Sequence, residues 1–200
     1  MCRRYTLNAA ALPAGLQRLW PGFAQQLTLD GFPAAEESIV PGNLAPVITA
    51  QGTGWRITRM QWGFPSIRPG RGPVTHARSE TVEERPLFAE SFARRRCLIP
   101  AGSFAERGRC LHAPEGSPAV LYMAGLYDTF WDTEGRPYQA FVVLTRASAG
   151  LLRAIHPRMP LLIPEALQDA YLSSAGSARR LLEQTPPPLM CEEAIGHFPP

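Results

Sequence analysis

Lysine is absent: all 20 basic residues of this 200-residue chain are arginine. Against 17 acidic residues they leave a formal net charge of +3, too small a balance to imply a nucleic-acid partner by itself. A GC-rich coding sequence produces the same bias, so the places of particular arginines carry more than their number. Their planar forks suit phosphates and base stacking. Long apolar runs are missing too. No stretch approaches the roughly 18 apolar residues of a membrane helix, so no membrane partner is expected. Met1-Cys2-Arg3-Arg4-Tyr5 is followed by no apolar run; no secretory signal is expected, and the cytoplasm is the expected compartment. Cysteine is scarce and scattered over Cys2, Cys97, Cys110 and Cys191, with no C-x-x-C pair. That spacing argues against structural zinc, and neither metal nor cofactor is expected. Cys97 lies in the apolar run Cys97-Leu98-Ile99-Pro100 and reads as a buried small hydrophobe.

What is present is enough for a core: 45% hydrophobic and 18% charged residues, a composition that excludes wholesale disorder. The pattern predicts a helix over residues 8–29, with Asn8 as cap and Pro13 in the first turn. It predicts a loop and strand over 38–49 and an alternating strand from Trp55 to Trp62. A loop over 63–73 follows, rich in proline and glycine. A short helix over 85–92 leads into a strand at 96–100, and Phe104–Glu106 is expected to continue that sheet. Strands are also expected over 120–127 and 138–145. Short helices are expected at 149–155, 164–171 and 177–184. Residues 156–160 read as a loop punctuated by proline, and the tail with Pro186-Pro187-Pro188 and Pro199-Pro200 as extended. No internal repeat is present. Many short strands with few helices indicate an α+β fold, a single domain over 1–200 built on a mixed, mostly antiparallel sheet.

Position decides the chemistry of Cys2. A small residue in second place permits removal of Met1, which leaves an α-amine and a thiol on adjacent carbons. With reference pKa values of about 7.7–8.0 and about 8.5, both supply some nucleophile at neutral pH. Such a 1,2-aminothiol forms a Schiff base with an aldehyde and then closes a thiazolidine, which no internal cysteine can do. A chance cysteine at the second codon is the plain alternative. Glu106 ends an apolar segment, where a carboxyl group suits general acid–base work; alternatively it is a surface carboxylate or a partner of Arg107. His156, set between Ile155 and Pro157, has a ring suited to proton transfer; alternatively it is a satisfied loop histidine. On an extended segment His76 and Arg78 share one face. Arg78 there either clamps a phosphate or pairs with Glu80 or Glu83. Trp62 opens the Gly/Pro-rich loop as a base-stacking platform or else sits in the core.

The order of these residues is specific. Met1-Cys2-x-Arg4-Tyr5 is followed by Trp62-Gly63-Phe64, Ala77-Arg78-Ser79-Glu80-Thr81 and Arg96-Cys97-Leu98-Ile99-Pro100-Ala101. Glu106, then Thr145 with Ala147, then His156-x-Arg158-Met159-Pro160 complete it. The chain resembles the SOS response-associated peptidase (SRAP) family, whose members shield abasic sites in single-stranded DNA. The motif-bearing part spans about 1–165, and the helices and proline-rich tail of 166–200 look generic.

The resemblance implies a barrel-like core with peripheral helices, and a monomer in the cytoplasm that joins the nucleoid when bound to damaged single-stranded DNA. It implies Cys2 as the nucleophile of a thiazolidine crosslink, Glu106 as the residue handling the α-amine proton, and His156 as the aid to sugar ring opening. Release of the chain's own Met1 goes with it. His76 stands where the family carries an active-site asparagine. Arg4, Arg78 and Arg158 are implied as DNA-backbone contacts, and Trp62 and Thr145 as residues lining the DNA cleft. Arg3 replaces the family's usual glycine, and the surroundings Phe104-Ala105-Glu106-Arg107 lack its usual aromatics, so packing around Glu106 is altered. Two other readings stay open: a non-catalytic binder of single-stranded DNA, and a Cys2-dependent peptidase or amidohydrolase.

Overall fold

Five of the β-branched and aromatic stretches become the longer strands of this protein. The computed structural model describes residues 2–7, 37–52, 54–68, 70–116 and 120–194. The helix expected over 8–29 lies outside the described residues. The strands are β1 (Tyr5–Leu7), β2 (Glu37–Ile39), β3 (Leu44–Gln51), β4 (Gly54–Trp62), β5 (His76–Arg78) and β6 (Arg96–Ala101). Then come β7 (Ser103–Glu106), β8 (Arg109–His112), β9 (Leu121–Trp131), β10 (Pro137–Ala147), β11 (Arg158–Pro160) and β12 (Met190–Glu193). Among the described residues the helices are α1 (Pro86–Arg94), α2 (Gln168–Ser173) and α3 (Ala175–Leu181). None is long and apolar enough to cross a membrane.

β10, β4, β3, β6 and β9 neighbour one another in that order, and β9 pairs back onto β10 from Pro137↔Trp131 to Val143↔Gly125. Five strands thereby close into a barrel-like core, which removes the free edges of an open sheet. β4 and β5 run parallel to β10 while the other pairings are antiparallel, so the expected mixed, mostly antiparallel α+β architecture holds. Gly125 on β9 permits the closure: a Cβ there would lie 2.6 Å from Ile99 Cδ1 and 2.9 Å from Cys97 Sγ. The second sheet runs β12-β8-β7-β1-β2, and its buried faces join the same hydrophobic core. Trp62 and Phe141 stack there with ring centres 6.2 Å apart; burying each such ring stabilises the fold by about 2–3 kcal/mol.

Several local expectations change. Phe104–Glu106 does not extend the sheet of β6. Gly102 N–H donates to the Thr6 carbonyl, and β7 then pairs with β1, which takes the chain into the second sheet. Arg158–Pro160 is a strand rather than a loop, because its backbone completes the ladder of β10. The helix expected over 149–155 is a 3-10 turn, Gly150–Ala154. The helix expected over 164–171 divides into a 3-10 turn, Glu165–Leu167, and α2. α3 begins earlier than expected, with Ser174 capping the Ser177 N–H.

The region after 165 is built into the fold rather than appended to it. β12 pairs with β8, and the buried Tyr171 hydroxyl donates to the Gly125 carbonyl at 2.9 Å. Arg96, also buried, donates to the carbonyls of Phe92, Ala93, Tyr171 and Leu172, and so ties the ends of α1 and α2 together.

Candidate active site

Cys2 precedes β1, which pairs Tyr5 with Phe104 and so lays the N-terminus along β7. The Arg4 carbonyl accepts the Ala105 N–H at 2.9 Å and the Cys2 thiol at 3.2 Å. β7 ends at Glu106, opposite Arg109 across a two-residue turn. Arg107 and Gly108 in that turn have φ of 49° and 72°, the positive pair that a tight hairpin requires. This geometry turns Arg107 outward and leaves Glu106 buried at 6% exposure. Cys2 is buried at 2%. Burial pushes its thiol up to about 12, with the nearby Glu106 carboxylate acting in the same direction and the Arg4 backbone opposing. The thiol is therefore protonated at neutral pH.

His156 approaches from the other sheet. Its N–H donates to the Leu152 carbonyl at the end of the 3-10 turn. The Arg158 N–H donates to Nδ1 at 3.0 Å, and Glu106 Oε2 lies 4.0 Å from the same nitrogen. His76 comes from β5, with Nδ1 2.8 Å from Thr75 Oγ1. Burial holds its ring down to about 4, although the Cys2 backbone favours the charged form. Nε2 of His76 is nevertheless buried without a partner in hydrogen-bond geometry among the described residues, and the ring is neutral at physiological pH.

The cluster thus holds a thiol, a carboxylate and two imidazoles inside one fold, brought from β1, β7, β5 and the segment before β11. Among the described residues no group of three or more His, Cys, Asp or Glu is arranged to hold a metal ion. A profile of the SOS response associated peptidase (SRAP) family matches residues 1–194.

The chain belongs to the SRAP family.

It is 26% identical over 189 residues to the abasic site processing protein YoqW of Bacillus subtilis (strain 168), covering 86% of this chain and 80% of that one. It is 26% identical over 199 residues to the abasic site processing protein YoaM of the same strain, covering 92% and 84%. Among solved structures it resembles a protein from Bordetella bronchiseptica with a TM-score of 0.75 and 22% identity, covering 96% of this chain and 99% of that one. A protein from Bacteroides thetaiotaomicron gives 0.70 and 19%, covering 96% and 91%. These last two likenesses concern the fold.

Within this SRAP fold Cys2, Glu106, His156 and His76 come together, and the other expected site residues fare differently. Trp62 is not a base-stacking platform. It is fully buried, its indole N–H donates to the Thr75 carbonyl at 3.1 Å, and it meets His76 edge-on at 5.9 Å. Met60 and Trp62, two residues apart on β4, both point into the core, and Trp62 packs there against His76. Thr145 does not line an open cleft either: it is fully buried, its hydroxyl lying 3.3 Å from the Ala77 carbonyl. Arg158 is mostly buried and committed within the protein, to Glu80 at 2.6 and 2.9 Å and to the Thr145 carbonyl at 2.6 Å. Arg4 is half-buried and Arg78 exposed. Arg78 pairs with neither nearby carboxylate, since Glu80 takes Arg158 and Glu83 takes Arg179.

Two residues of the site carry no role in the sequence reading. The Tyr5 hydroxyl is buried without a hydrogen-bond partner among the described residues, and Cys2 is close enough to help burial push the phenol up. Its place beside Cys2 and Arg4 in the N-terminal motif was the available signal. Glu80 is the other, and only the folding of β5 against β10 and β11 discloses its partner.

Proposed function

We propose that the chain processes abasic sites in single-stranded DNA, with Cys2 as the reacting residue after Met1 is removed. One observation carries the reading: Cys2 lies buried beside Glu106, with His156 4.0 Å from that carboxylate. The two Bacillus subtilis relatives named as abasic site processing proteins support it.

Removal of Met1 frees the α-amine of Cys2. His156 supports opening of the abasic sugar to its aldehyde, and Glu106 accepts the proton that makes the amine nucleophilic. The amine adds to the aldehyde carbon, and loss of water gives a Schiff base. Sulfur then adds to the same carbon, forming the C–S bond, while the thiol proton passes to the nitrogen. The product is a thiazolidine and the sum releases one water. The thiolate is the attacking form of sulfur, so the raised Cys2 thiol must give up its proton as the C–S bond forms, and the imine nitrogen receives it. Neutral His76 offers a ring nitrogen beside Cys2 for a polar group of the bound sugar.

The expected outcome is that purified protein lacks Met1 by intact mass and that with abasic single-stranded DNA it gives a heat-stable adduct, which Cys2→Ala abolishes. A wild type lacking Met1 that gives no adduct refutes the covalent reading. The exposed Arg78 favours a second reading, a non-catalytic binder of single-stranded DNA. Binding with steep salt dependence and no adduct identifies it.

A further inference from the structure

Two histidine-bearing segments flank Cys2, and a single ion pair joins them. Glu80 sits in the 3-10 turn Ser79–Thr81 directly after β5, the strand of His76. Arg158 opens β11, two residues after His156. The Glu80 carboxylate receives both terminal nitrogens of Arg158, at 2.6 and 2.9 Å. The same guanidinium reaches the Thr145 carbonyl at 2.6 Å and its hydroxyl at 3.1 Å, on the intervening β10. Its backbone does the rest. The Arg158 N–H donates to His156 Nδ1 at 3.0 Å, and the Arg158 carbonyl lies 3.0 Å from the same nitrogen.

We propose that Glu80 is a positioning residue of this site, holding Arg158 so that the Arg158 backbone orients His156. With the ring neutral, the amide N–H occupies the Nδ1 lone pair and leaves the proton on Nε2. With the ring charged, Nδ1–H finds the Arg158 carbonyl, with Glu106 Oε2 4.0 Å away. The backbone of one residue, through its own N–H and its own carbonyl, therefore serves both protonation states, and the ring keeps its direction. An exposed carboxylate–arginine pair contributes little stability by itself. Here the arginine end is largely buried, 18% exposed against 48% for Glu80, and the bidentate fork sets geometry as well as charge. Glu83 supplies an internal contrast. It lines the same pocket as Glu80 but pairs with Arg179 rather than with Arg158.

The rate arm of the test rests on the abasic-site reading; the spectroscopic arm does not. Protein with 15N-labelled histidine reports the ring tautomer of His156, assigned by its disappearance in His156→Gln. Wild type shows the Nε2–H form. Glu80→Gln gives a mixed or exchanging tautomer and slows adduct formation about tenfold, while affinity for single-stranded DNA with an unreactive abasic analogue stays within about threefold. Glu80→Asp keeps the carboxylate and lies between the two, and Glu83→Gln behaves as wild type in every arm. An unchanged His156 signal in both Glu80 variants overturns the proposal, and so does a wild type without the Nε2–H form. Tighter DNA binding by Glu80→Gln at unchanged rate and tautomer also overturns it, since Glu80 then only competes with phosphate for Arg158. If wild type forms no adduct, the covalent reading falls and the histidine spectrum alone decides the role of Glu80.

Discussion

Replacing His76 with asparagine removes one titrating ring from the interior, and the size of the effect follows from where that ring sits. Its pKa is about 4 in the folded protein against the ordinary 6.5, chiefly through burial. In the unfolded chain the ring takes up a proton as pH falls through 6.5, whereas in the folded protein it stays neutral until about 4. Acid therefore favours the unfolded chain: the stability associated with neutral His76 is complete above 6.5, declines between 6.5 and 4, and is gone below. Protonation of the unfolded ring at about pH 5 is worth about 2 kcal/mol, and the full loss approaches about 3 kcal/mol. His76→Asn lacks this dependence.

Urea denaturation of both proteins followed by far-ultraviolet circular dichroism isolates the effect, because all other titrating groups cancel in the difference. Tryptophan fluorescence is the poorer probe, since Trp62 touches His76 edge-on and responds to its charge. Wild type should lose about 2 kcal/mol relative to His76→Asn between about pH 7.5 and pH 5. A difference that stays constant over that range refutes the argument, and with it the claim that a neutral ring lies beside Cys2 at physiological pH.

Other outcomes follow from the same geometry. Glu106→Gln removes the carboxylate that helps hold the Cys2 thiol up at about 12. The thiol titration, followed by thiolate absorbance, moves down, and single-turnover adduct formation slows by about 100-fold. Arg78→Ala weakens binding to single-stranded DNA and lowers the slope of log affinity against log salt by about 1, which fluorescence anisotropy over a salt series measures. Arg96→Met leaves four buried carbonyls at the ends of α1 and α2 without their donor. It should cost about 3 kcal/mol and lower Tm by about 10 °C in a scanning calorimeter.

The long strands were legible because their apolar and β-branched residues recur with sheet periodicity, and so β4, β9 and β10 appear close to where the pattern puts them. Sheet membership was not legible. Phe104–Glu106 looks like a continuation of the strand before it, yet the Gly102 N–H bonds to β1 and sends the chain into another sheet. β11 and β12 are short, and each exists because a neighbour's ladder is there to be completed. Among the site residues Cys2, Glu106, His156 and His76 stood out through reactive groups in a specific order. Thr145 stood out through that order alone, and Trp62 through it and through its place before a Gly/Pro-rich loop, with the core as the alternative; neither signal says which way a side chain faces. Both face inward.

The sequence by itself determined the kinds of group available: a cysteine in second place, one carboxyl group at the end of an apolar strand, His76 and His156 among four histidines, and arginine as the only strong cation. These are properties of residue type and order, and folding does not alter them. Tertiary structure decided their states and partners. Burial keeps the Cys2 thiol protonated and His76 neutral, because charge is costly to hold away from water. Pairing of β5 and β11 on β10 brings Arg158, an expected phosphate contact, onto Glu80 and sets its backbone against His156. Only long-range pairing can bring residues 78 positions apart within 2.6 Å of each other.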